Sequence, residues 1–255
     1  SIDGSTLQAD RVLGLSASTL DLDNGQLIGA GAAWRGDAGA AGTGDLDLQI
    51  TGDMNVSNAL VASGNTLTIN ANNLVVDANS LQVNGKGILA IGETAITAGT
   101  AVDNAGDIKG QENLTITAAQ ITSRAAATVS SGNLLTLLGA GAGNSTVNNI
   151  VQLSGSNGQN ITAATITNSG TIESSGTLNL SDGVAAGTVL NQAGGVIKGN
   201  QLVVDAGSLE NRGTLYGSTS ASVTTAMLDN YGSILSAGQM NLLDGGSNGS
   251  TLNNF

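Results

Sequence analysis

The side chains that could move protons or bind ions are few and widely spaced. The chain has 255 residues, no His and no Cys, with seven Lys and Arg set against nineteen Asp and Glu. The cations are Arg11, Arg35, Lys86, Lys109, Arg124, Lys198 and Arg212, and no two of them fall within ten residues of each other. Acid–base chemistry on sugars needs paired carboxylates, with Arg, Lys or His nearby when the sugar is itself acidic. Ser and Thr are abundant, but none has a His base, and a Ser–Lys pair would be legible only in three dimensions. The sequence therefore reads as a non-enzyme.

Two carboxylate pairs, Asp21 with Asp23 and Asp45 with Asp47, sit two residues apart, so both members leave one face of a strand. Such a pair could join a calcium site. Calcium takes six to eight oxygens, however, and the Gly-Gly-x-Gly-x-Asp repeat that builds such cages does not recur. The pairs read as solvated strand faces, and no metal or cofactor is expected.

The segment 29–44, GAGAAWRGDAGAAGTG, carries no strand pattern and reads as a loop leaving the body of the protein. It holds the sole Trp, Trp34, followed by Arg35, Gly36 and Asp37, the tripeptide that integrin ligands present at loop tips. A flexible loop can offer Arg and Asp at opposite ends, the carboxylate completing a metal site on the receptor, with Trp34 as a buried anchor. The competing expectation is that Trp34 covers the edge of the core while Arg35 and Asp37 only solvate the loop. Tyr216 and Tyr231 lie beside Asn-x-Gly phrases at unequal offsets, so they are not expected on one line. Phe255 suggests no role.

The elements that would position these groups announce themselves by repetition. Leu-Val-Val-Asp-Ala, with a Leu two residues later, occurs at 74–81 and 202–209. A second phrase, an apolar strand, a Gly-rich run and an apolar residue before Asn, begins at Leu135, Leu178 and Met240, separations of 43 and 62 residues. These are close to two and three periods of about 21, a spacing typical of solenoids. A third phrase, Asn-x-Gly-x-(Ile/Leu), appears at Asn104-Gly106, Asn168-Gly170, Asn211-Gly213 and Asn230-Gly232, with an interrupted copy at Asn191.

Composition agrees with a stack of repeats. The chain is 40% hydrophobic but only 2% aromatic, so its core must be thin and aliphatic. Stacked coils need only such a core, because each buries its inward side chains against its neighbours. There are 38 Gly and no Pro, which favours tight corners, with Gly supplying positive φ, and unbroken backbone ladders. Without Cys there is no disulfide framework. No stretch approaches the length of a membrane-spanning helix, and SIDGSTLQADRV lacks the parts of a signal peptide. A net charge of −12 argues against nucleic acid and anionic membrane surfaces as partners. Because the pattern starts and stops in mid-repeat, the sequence reads as a piece of a longer protein whose targeting signals lie elsewhere.

Within a period, 113–117 and 176–180 alternate apolar and polar residues, which places Leu178 and Leu180 together on a buried face. Strands of four to six residues, bounded by Asn, Gly, Asp and Ser, make one coil of a parallel β-helix. The expected rod has roughly 12 coils and a length of about 60 Å. The repeated Asn is expected at one corner of every coil, its amide bonding to those above and below, with the adjacent Gly turning the chain.

The stretch Asn-Ser-Gly-Thr-Ile-Glu-Ser-Ser-Gly-Thr-Leu-Asn-Leu at 168–180 resembles the haemagglutinin repeat of filamentous haemagglutinin-type adhesins and the related contact-dependent inhibition proteins. The likeness covers most of 100–255 and is looser before 100, with an Asn-Gly-Gln-Leu-Ile version at Asn24 and a clear copy at 66–85. It implies one right-handed parallel β-helix over 1–255, within a long exoprotein exported through an outer-membrane two-partner secretion transporter to the surface of a Gram-negative cell. Adhesins of that family carry the Arg-Gly-Asp tripeptide, so a host receptor such as an integrin is one implied partner. A neighbouring bacterium, reached by a toxin-delivering shaft, is the other. A polysaccharide-cleaving β-helical enzyme is the alternative from a different class.

Overall fold

The computed structural model describes residues 1–29, 44–124, 127–141, 143–183, 187–246 and 249–255. Its strands form a β-solenoid of about 11 turns, roughly 21 residues to the coil, and every strand pairing is parallel. Among the described residues the one helical piece is the three-residue 3-10 turn Gln82–Asn84. At about 4.8 Å per coil the rod is about 50 Å long.

Each coil has three faces. The first includes Leu20–Asp23, Thr165–Asn168, Thr188–Asn191 and Thr251–Asn254. The second includes Leu60–Ser63, Asp107–Gly110, Gln152–Gly155 and Ser233–Ser236. The third includes Asp45–Ile50, Leu134–Gly139, Gly158–Thr162 and Gln239–Asp244. Where a corner is tight the backbone ladder runs through it, so Val196–Asn211 and Thr214–Asn230 are single strands of 16 and 17 residues. Strands limited to four to six residues were expected. Turn residues interrupt the hydrophobic alternation, and the pairing resumes beyond the corner after a shift in register, as between Gly199 and Gln201.

The core is a set of aliphatic columns. On the third face Leu46, Leu67, Thr94, Leu114, Leu135, Gln159, Leu178 and Leu202 lie in one line, one per coil. Leu178 and Leu180 are both inward and buried. The phrases at Leu135, Leu178 and Met240 occupy this one column, two and three coils apart. The Leu-Val-Val-Asp-Ala copies do not correspond: Leu74 is on the first face, in line with Met54 and Val102, whereas Leu202 is on the third. Both are half-buried strands with the same alternation, and alternation carries no information about which face a strand joins.

Two polar residues interrupt the leucine column. Gln159 is completely buried, between Leu135 and Leu178, and neither its Nε2 nor its Oε1 has a hydrogen-bond partner. Thr94 is buried between Leu67 and Leu114, and its Oγ1 is likewise unpartnered.

Candidate functional site

The Asn side chains come first, because they recur most regularly. Asn149, Asn168, Asn191, Asn211, Asn230 and Asn254 stand in one inward column at the end of the first face. Each Nδ2 donates to the Oδ1 of the next, at 2.8, 2.9, 2.8, 2.8 and 2.7 Å in order. The same amides also donate across the corner to backbone carbonyls, as from Asn149 to Thr171 at 3.0 Å and from Asn211 to Ser233 at 3.1 Å. Sequence alone did not single out Asn149 or Asn254, since neither is followed by the x-Gly of the phrase.

Asn104 belongs to the column but not to the ladder. The coil between it and Asn149 has Ser123 at that position, one side chain too short to reach either neighbour. Both polar atoms of Asn104, the hydroxyl of Ser123 and the Oδ1 of Asn149 are buried and unpartnered. Before Asn104 the same position is apolar: Leu22, Val56 and Val76. In those first coils the corner Asn lies two residues later, at Asn24 and Asn58, exposed or half-exposed, with left-handed φ of 53° and 46° and a bond from Asn58 Nδ2 to Asn24 Oδ1.

The glycines of the phrase sit in the bends where the chain turns from the first face to the second. None of Gly106, Gly170, Gly213 or Gly232 has positive φ. A Cβ there would lie 2.5, 2.4, 2.1 and 2.2 Å from a backbone carbonyl oxygen of the preceding coil, so what excludes a side chain is the close stacking of corners. A matching column closes the second face: Ala90, Gly110, Ser131, Gly155, Ser174, Gly199, Gly217 and Ser236 are all small. Its Ser hydroxyls donate to backbone carbonyls of this corner, Ser131 to Glu112 O of the preceding coil at 2.6 Å and Ser236 to Gln239 O of the turn that follows at 2.8 Å.

Outside the rod, a second amide ladder of opposite polarity runs through Glu93, Asn113, Asn133 and Asn157. Here each Nδ2 donates toward the N-terminal coil, at 2.8, 2.8 and 2.9 Å. The acidic pairs are used in the same way. Asp21 accepts from Asn55 at 2.6 Å and Asp45 from Asn65 at 2.7 Å, both one coil on, while Asp47 accepts from Gln49 at 2.6 Å. Among the described residues no three His, Cys, Asp or Glu side chains group together. Trp34, Arg35, Gly36 and Asp37 lie outside the described residues, as does nearly all of the segment expected to leave the rod.

Asp77 is the carboxylate most firmly held. Partial burial pushes its pKa up, but bonds from the Asn58 N–H, the Ser80 hydroxyl, the Asn79 amide and the Ser57 hydroxyl outweigh that and hold it below 3.8. These bonds pin the start of the excursion 77–86, which carries the 3-10 turn.

Among the described residues three ion pairs use cations far apart in sequence. Arg124 meets Asp103 at 2.6 Å, Lys198 meets Glu173 at 2.6 Å, and Arg212 meets Glu210. The guanidinium of Arg212 also lies 4.6 Å from the centre of the Tyr231 ring, which stacks on Phe255 at 4.5 Å with planes 5° apart. Arg212, Tyr231 and Phe255 each follow a ladder Asn, so they form one exterior column, and Phe255, to which the sequence assigned no role, continues it.

Tyr216 belongs to another surface. It points outward from the second face, in line with Ser154, Glu173 and Lys198 on the three preceding coils. With Ser156, Ser175, Asn200 and Ser218 of the adjoining corner, these residues line an open groove of about 430 Å³. Gly155, Ser174 and Gly199 of the small-residue column also line it. Glu173 has both oxygens engaged, one by Lys198 and the other by Gln152 Nε2 at 2.9 Å, so the groove holds a neutralised charge pair, several hydroxyls and one aromatic ring.

No helix among the described residues is long and apolar enough to cross a membrane. The chain matches no family model, no curated protein and no solved structure.

Proposed function

We propose that this chain is a non-enzymatic shaft segment of a secreted bacterial surface exoprotein, holding a distal binding or effector region away from the cell. The observation that carries this reading is the parallel pairing of coil on coil from Ile2 to Asn254 among the described strands, with register shifts such as those at Ala98/Ala101, Ser174/Thr177 and Gly199/Gln201. A rod of this kind resists local opening because each coil is bonded along its length to two others. Its inner and outer amide ladders reinforce the stack at two different corners. The resemblance of 168–180 to the haemagglutinin repeat supports export by two-partner secretion and display on an outer membrane.

An antibody raised against the purified chain, applied to intact and to permeabilised cells of the organism that makes it, tests the proposal. Labelling of intact cells is expected, and loss of that label on brief external protease treatment. Labelling confined to permeabilised cells would overturn it. Binding of the labelled chain to epithelial cells and to bacteria, with an Asp37→Glu variant alongside, would then separate host adhesion from contact with other bacteria.

A further inference from the structure

The groove beside Tyr216 gathers four kinds of polar or aromatic side chain on one outward column. The exterior line through Glu93, Asn113 and Asn133, by comparison, is an amide and carboxylate ladder whose polar atoms satisfy one another. Here the outward column changes chemistry at every coil, from hydroxyl to carboxylate to ammonium to phenol. Such a line presents different groups to a ligand lying along the axis.

Several ligand classes fit poorly. A net charge of −12 repels polyanions, and the one ammonium in the groove is already paired with Glu173. A peptide strand would need unpaired backbone groups, yet the strands flanking the groove are paired on both sides. The groove offers no apolar pocket for a hydrophobic anchor. What it offers is one aromatic ring, held half-buried between Lys198 and Leu235 of the adjacent coils, and a run of hydroxyl and amide groups along the corner.

Those are the features that recognise a sugar: a flat apolar face for the C–H side of a pyranose, and hydrogen-bonding groups at its rim. Successive coils are about 4.8 Å apart, close to the advance of one ring in an extended glycan, so a chain laid along the axis meets a fresh rung with each sugar. We propose that this groove binds an extended neutral oligosaccharide, with Tyr216 as the stacking face and Ser154, Glu173, Lys198 and Asn200 as polar contacts. A volume of about 430 Å³ accommodates about two or three rings. The assignment goes beyond the shaft reading and does not depend on it.

Titrating the intact chain with cellotetraose, chitotetraose and a heparin-derived tetrasaccharide tests it, by calorimetry and by amide shifts in NMR spectra. At least one neutral tetrasaccharide should bind saturably and move the amides of Ser156, Ser175 and Asn200. Tyr216→Ala should weaken that binding about tenfold, Tyr216→Phe should change it less than about twofold, and Tyr231→Ala should leave it unchanged. Binding of neither neutral sugar, preference for the heparin fragment, or affinity indifferent to Tyr216→Ala would each overturn the proposal. The wild-type amide shifts decide the matter even if the Ala variant misfolds. Failure here, with intact cells still labelled by the antibody, would remove the groove and leave the shaft.

Discussion

Gln159→Leu should make this protein more stable, which is unusual for a substitution at a completely buried residue. Gln159 stands in the third-face column directly between Leu135 and Leu178, and both ends of its amide lack partners. An unsatisfied buried polar group costs about 1–3 kcal/mol. Leucine removes that penalty and restores apolar contact with both neighbours, so a net gain of about 1–3 kcal/mol is expected. At about 2–4 °C per kcal/mol for a chain of this size, the melting temperature should rise by several degrees. A solenoid need not unfold in one step, so hydrogen exchange at 134–139, 158–162 and 177–181 provides the local reading, with slower exchange in the variant. Gln159→Glu is the opposing control, since it places a carboxylate where no donor exists and should lower stability by several kcal/mol. A Gln159→Leu variant as stable as its parent or less so would refute the inference that this amide is unsatisfied.

Three further outcomes follow from the same geometry. Ser123→Asn places an amide between Asn104 and Asn149, where buried polar atoms on both sides await partners, and should raise the denaturation midpoint by the equivalent of about 1 kcal/mol; an unchanged or lower midpoint would mean the corner cannot hold it. Leu178→Asp buries an unpaired charge in the leucine column and should cost more than about 4 kcal/mol, and a thermal melt matching the parent would contradict its inward placement. Asp77 has a lowered folded pKa, so its contribution is complete above the ordinary value of 3.8 and is lost as pH falls through the lowered one; hydrogen exchange at 77–86 should accelerate below about pH 4, and Asp77→Asn should abolish that dependence.

The period and the solenoid were legible in the sequence because both are local properties repeated many times. Asn-x-Gly recurs at one offset from an alternating strand, and Leu135, Leu178 and Met240 recur at whole numbers of coils, so counting residues was enough to stack them. The inward assignment of Leu178 and Leu180 followed from alternation alone. Which face a strand joins was not legible, as the two Leu-Val-Val-Asp-Ala copies demonstrate: corner length, not strand pattern, assigns the face. Nor could the sequence reveal that Ser123 divides Asn104 from the ladder, since connections of unequal length separate the three residues and only the backbone pairing aligns them. The role of the corner glycines depended on contacts between coils, with carbonyl oxygens 2.1–2.5 Å from where a Cβ would be, rather than on their own torsions. The Tyr216 groove and the Arg212, Tyr231 and Phe255 stack arise the same way, from residues of successive coils brought about 4.8 Å apart by the parallel register. Sequence determined that the chain coils and with what period; the tertiary structure decided which side chains share a column, because lateral neighbours in a solenoid are set by the length of every intervening turn.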